Sequence, residues 1–114
     1  MTKCRDFIKN NLGTIAGIAV VHKHPETTFI ACHIANFGND LQHVSDVLDR
    51  FPNLYLDISA RDYELGRTPR TSKKFIEKYE DRLLFGTDMG MHKSMYHAWW
   101  NLLESDDEYI TGRV

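Results

Sequence analysis

Three apolar runs in this chain each deliver a side chain that can do chemistry. TFIACHI, residues 28–34, carries His33 near its end. LYLDIS, residues 54–59, carries Asp57, with Arg61, Glu64 and Arg67 beyond it. RLLFGTD, residues 82–88, ends on Asp88. An imidazole serves as a ligand or a proton carrier near neutral pH. A carboxylate offers a hard oxygen. A histidine and an aspartate on neighbouring strand ends can share one metal ion or one substrate. In a catalytic zinc site, three protein ligands leave a position open for water.

Each residue also has a plainer reading. A histidine late in a strand can be a hydrogen-bonded core residue. The aspartate of GTD can cap the turn that follows it. Asp57 is costly to bury alone, so a nearby arginine such as Arg61 is its expected partner, and that pair can be purely structural. His22, His24, His43, His92 and His97 fall on helix or loop positions and read as surface residues. Met95 and the Trp99–Trp100 pair read as packing, and the acidic tail around Asp106 and Asp107 as a solvated turn. The recurrence of polar groups on successive strand ends sets His33 and Asp88 apart.

The elements that position them can be read from periodicity and punctuation. Residues 3–10 and then 11–28 have helical character, with Pro25 forcing a stop near His24. A strand is expected over 28–34, β-branched and aromatic at its start. Asn36, Gly38 and Asn39 mark a loop, and Asp40 can cap a helix. In LQHVSDVLDRF, Leu41, Val44, Leu48 and Phe51 share one helical face, and Pro52 ends it. A second strand covers 54–59. Residues 61–70 form a polar loop. A helix starts at Thr71 or Ser72, with Phe75, Ile76 and Tyr79 facing inward. A third strand runs through RLLFGTD to Gly86. A last helix spans 93–104, with Met95, Trp99 and Leu102 on one side.

Strands separated by helices imply parallel pairing in an α/β fold, and near-continuous apolar strands imply a sheet buried on both faces. In that architecture the chemistry collects at the C-terminal edge of the strands.

At 114 residues the chain is expected to form a single domain, 1–114. A net charge of −2 gives no basic footprint for nucleic acid and no polybasic membrane patch. No apolar run approaches a membrane span of about 20 residues. Cys4 and Cys32 lack metal-binding spacing and read as reduced thiols of a cytoplasmic protein, a lone disulfide being the alternative.

The runs HPETTFIACHIAN, FPNLYLDISARDYELGRTPR and KYEDRLLFGTDMG together resemble the amidohydrolase-2 family of metal-dependent hydrolases, TIM-barrel proteins related to aminocarboxymuconate-semialdehyde decarboxylase. The resemblance spans roughly residues 20–110. It implies catalytic roles for His33, at the end of a sixth barrel strand, and for Asp88, at the end of an eighth. Asp88 would ligate a divalent metal, with zinc the expected ion. Asp57, Arg61, Glu64 and Arg67 would follow the seventh strand and bind substrate, an arginine fork suiting a carboxylate.

The family's His–x–His pair after the first strand and its fifth-strand histidine have no counterpart here. His22–Lys23–His24 has the spacing but precedes Pro25 at a helix end. A full barrel takes about 250 residues. The chain is therefore expected to be the C-terminal part of such a barrel, strands six to eight with their helices. The implied activity is hydrolysis of a small molecule by metal-activated water, with the fragment inactive alone. A decarboxylase of the same family and a non-catalytic α/β module are the alternatives. Partners are expected to be a small-molecule substrate and other copies meeting exposed sheet edges, with neither nucleic acid nor membrane.

Overall fold

A computed structural model describes residues 15–90 and 92–108. The helix expected over residues 3–10, and Cys4 with it, lies outside the described residues. Helix α1, Ile15–Lys23, stops before Pro25. Strand β1 follows at Phe29–Ala31, then a tight turn at Cys32–Asn36. Helix α2 spans Leu41–Arg50 and strand β2 Leu54–Asp57. A short helix α3, Asp62–Leu65, and helix α4, Pro69–Lys78, precede strand β3, Leu83–Leu84. Helix α5 is Lys93–Glu104.

The three strands form one parallel sheet in the order β1-β2-β3. Ile30 pairs with Tyr55, Leu56 with Leu83, and Asp57 with Leu84. The chain is thus α/β, built of parallel βα units.

Alternation along β2 separates the two faces of the sheet. Leu54, Leu56 and Ile58 are buried, in one cluster with Ala31 and with helix residues Val44, Val47, Leu48, Phe75, Trp99 and Leu102. Register places Ile30, Tyr55, Asp57 and Leu84 on the other face. There Ile30 is 54% and Leu84 43% exposed. The expectation of a sheet covered on both faces is corrected: helices cover one face, and the other carries apolar side chains in solvent.

Local chemistry explains most element boundaries. The Asp40 carboxylate accepts the His43 N–H at 3.1 Å and caps α2. Phe51, before Pro52, leaves the helix for extended backbone at φ −123°. Helix α4 begins at Pro69, earlier than Thr71 or Ser72, because the ring's fixed φ suits a first turn. Ser72 is instead a fully buried helix residue whose hydroxyl donates to the Leu65 carbonyl at 2.7 Å. The loop expected over 61–70 contains α3, which inserts Leu65 into the core.

Side-chain amides and guanidines tie loops to strands. The Asn53 amide nitrogen donates among the carbonyls of Val21, His24 and Thr27, at 3.3, 3.0 and 3.0 Å, fixing the exit of α1 against the start of β2. Arg82 donates to the Leu54 carbonyl at 2.8 and 2.5 Å and to that of Phe51 at 2.6 Å, satisfying the end of α2.

Two assignments also change, Trp100 from packing to surface and His43 from surface to half-buried. Trp100 is 56% exposed, whereas Trp99 and Met95 are buried. His43 is half-buried, its ring 4.9 Å from that of Phe37. In the tail, Asp106 pairs with Lys73 at 3.3 Å and Glu108 with Arg70. Among the described residues, no helix is long and apolar enough to cross a membrane.

Candidate functional site

Parallel strands place all their C-terminal ends at one edge. Among the described residues, the non-glycine residues at positive φ are His33, Ile34, Ala35, Asn36, Ala60 and Asp88. All of them lie just beyond the ends of β1, β2 and β3. An L-residue pays roughly 1–2 kcal/mol for left-handed backbone, and such strain persists where surrounding structure over-determines it.

The first strand ends sooner than expected. It stops at Ala31, and residues 33–36 take φ of 57, 53, 52 and 62°. The left-handed run sends Ile34 into the core at 0% exposure and leaves His33 at the sheet edge. No glycine marks this turn, so the pattern TFIACHI reads as unbroken strand.

His33 is held at its ring. Nδ1 lies 2.9 Å from the carbonyl oxygen of Ser59, beyond the end of β2. A carbonyl only accepts, so Nδ1 carries the proton in that bond and the neutral ring has a bare Nε2. Nε2 faces Asp88 Oδ2 at 3.7 Å. That is too long for a hydrogen bond and short enough for an ion pair once the ring is protonated. The His33 side chain is 19% exposed and that of Asp88 63%.

The structure therefore brings His33 and Asp88 together from the first and third strands. Asp57 does not meet Arg61. Its Oδ1 accepts the Ser59 N–H at 2.6 Å and also the Ser59 hydroxyl. Gly86 gives this serine room, since a Cβ there would stand 2.8 Å from Ser59 Oγ. Ser59 is the residue sequence reasoning missed: its carbonyl orients His33 while its amide and hydroxyl hold Asp57. A serine two residues after the strand's aspartate was the available signal.

Arg61 pairs with Glu64 at 3.1 Å, both side chains being 17% exposed. Glu64 fits closely against Gly38, where a Cβ would crowd its carboxylate. Glu64 and the exposed Arg67 line a cleft of about 360 Å³, along with Gly38, Asp40, Thr68 and Thr71. Of the expected substrate-binding residues, these two thus share an open wall.

A divalent metal needs more donors than the described residues bring to this edge. Among the described residues no group of three or more His, Cys, Asp or Glu side chains converges. His33 and Asp88 are two donors, against the three protein ligands of a catalytic zinc. The donors present do not by themselves make a metal centre. Cys32 is exposed, with a free thiol.

The model of the amidohydrolase family matches residues 15–109 of the chain. No curated protein and no solved structure matches it.

Proposed function

We propose that this chain, which belongs to the amidohydrolase family, carries the proton-transfer part of a hydrolytic site for a small molecule. Membership supports a metal-dependent hydrolase or lyase chemistry in general, and the family generally binds a divalent metal. The observation that carries the finer reading is the His33 ring, bonded to Ser59 through Nδ1 and facing Asp88 through Nε2.

In this reading the bare Nε2 accepts a proton from the attacking water, and the resulting imidazolium passes it to the leaving group. Asp88 Oδ2 stands 3.7 Å from that nitrogen. The Ser59 carbonyl keeps Nδ1 protonated throughout and so keeps Nε2 as the working nitrogen. The Glu64–Arg67 cleft is the proposed substrate wall, with Arg67 the guanidinium exposed enough to meet a carboxylate.

The chain is further proposed to supply three βα units, the sixth to eighth, of a larger barrel. Two donors where a metal takes three or more, and a sheet face bearing Ile30 and Leu84 in solvent, both support a complement contributed by other residues or another chain. Zinc is the proposed ion for the completed site. The same two observations support the second reading, a non-catalytic module in which the His33–Asp88 pair does no chemistry.

The test is turnover of a panel of small esters, amides and carboxylated aromatics in ¹⁸O-labelled water. Hydrolysis puts the label into the product, whereas decarboxylation releases carbon dioxide and leaves the remaining product unlabelled. In the completed site, His33→Gln and Asp88→Asn are each expected to lower turnover about a hundredfold or more. Turnover equal to the wild type's in both variants would refute the assignment.

A further inference from the structure

The Arg61 guanidinium has five N–H donors, and most of them are spent inside the protein. Nε donates to the His33 carbonyl at 3.2 Å, and Nη2 to the Asn36 side-chain oxygen at 3.0 Å. Nη1 donates to the Tyr63 hydroxyl at 2.8 Å and to Glu64 at 3.1 Å. The side chain is 17% exposed and its charge is met by Glu64. Little of the fork is left for a substrate carboxylate.

The two long-range bonds have a particular placement. His33 is the first and Asn36 the last residue of the left-handed run. Arg61, from the segment after β2, grips both ends of a turn that follows β1. Four successive L-residues at positive φ relax toward right-handed or extended backbone unless something holds them. Burial of Ile34 restrains the middle of the run, and Arg61 restrains its ends. The direction of the His33 ring follows from the backbone of this run.

We infer that Arg61 is a positioning residue: it clamps the left-handed run His33–Asn36 and thereby aims the His33 imidazole at Ser59 and Asp88. The catalytic meaning of that aim rests on the reading of His33 above, but the clamp itself is tested without turnover.

The readout is the tautomer of His33 in the ¹⁵N-histidine-labelled 114-residue chain, taken from two-bond ¹H–¹⁵N correlations. In the wild type the ring is expected as a single Nδ1–H form. Arg61→Lys keeps the charge but cannot reach both ends of the run, so the single-tautomer pattern is expected to be lost. Adding Ala35→Gly should restore it, because glycine adopts the left-handed conformation at no steric cost. A merely structural role for Arg61 would not be rescued by glycine in the turn. An unchanged pattern in Arg61→Lys, or no recovery in the double variant, overturns the proposal. Should Arg61→Lys fail to fold, Asn36→Ala removes only the far anchor and carries the same readout, an unchanged His33 pattern again overturning it. The His33 pattern in the wild type and in Arg61→Lys reads the clamp whatever His33→Gln does to turnover, so the failure of this inference and the failure of the functional reading are distinguishable.

Discussion

The Ser59 carbonyl oxygen accepts a hydrogen bond from His33 Nδ1 at 2.9 Å, joining residues 26 apart in sequence across two neighbouring strand ends. The same serine binds Asp57 through its amide and hydroxyl. One residue thus orients two candidate site groups by separate atoms. The bond to His33 uses the backbone and survives any side-chain substitution at 59. The hydroxyl bond to Asp57 does not.

Ser59→Ala therefore divides the two functions. It removes the hydroxyl from a buried position, at a cost of about 1 kcal/mol in unfolding free energy measured by denaturant titration. The His33 tautomer is expected to remain as in the wild type. A changed tautomer in this variant would show that the hydroxyl, rather than the carbonyl, governs the ring.

The Tyr79 hydroxyl donates to Asp49 Oδ1 at 2.7 Å and holds that carboxyl below its ordinary value of 3.8, with Lys78 adding to the effect. A depressed carboxylate pKa stabilises the fold above the unfolded value, and the contribution is lost as pH falls through the folded one. In Tyr79→Phe the Asp49 pKa should move back up. The loss of stability on acidification from pH 3.8 downward should become shallower than in the wild type. Asp49 is half exposed, so added salt should shrink the difference. Parallel acid limbs in the two proteins would remove Tyr79 as the cause.

Ile30 and Leu84 stand in solvent on one face of the sheet, and among the described residues β1 and β3 are its two edge strands. Exposed apolar strands of this kind promote pairing with other chains. Light scattering over a concentration series should show self-association of the wild-type chain, reduced in the Ile30→Glu/Leu84→Glu double variant. A wild type that stays monomeric at every concentration would contradict it.

Much of the scaffold was legible in the sequence. Helix α5 occupies Lys93–Glu104 as its periodicity requires, and Asp40 caps α2 as its type and place suggest. The three parallel strands follow from alternation with helices. The site was legible only in its residue types. His33 and Asp88 do meet, but the turn that aims His33 contains no glycine, so nothing local announces four left-handed residues. Arg61 was expected beside Asp57 because a buried carboxylate needs a partner and Arg61 is near it in sequence. It pairs with Glu64 instead, since α3 winds inside a stretch whose polar composition reads as loop. The uncovered face was illegible for a different reason. Ile30 and Leu84 are apolar, and apolar strands read as buried whether or not a helix lies over them.

The central claim is that His33 is a neutral imidazole protonated on Nδ1, with Nε2 bare toward Asp88. The most direct measurement is the two-bond ¹H–¹⁵N correlation spectrum of the histidine-labelled chain, at a pH above the titration of the ring. A single His33 tautomer with the proton on Nδ1 is expected. A proton on Nε2, or the mixed pattern of a free imidazole, would contradict it and leave His33 without the basic nitrogen its proposed role requires.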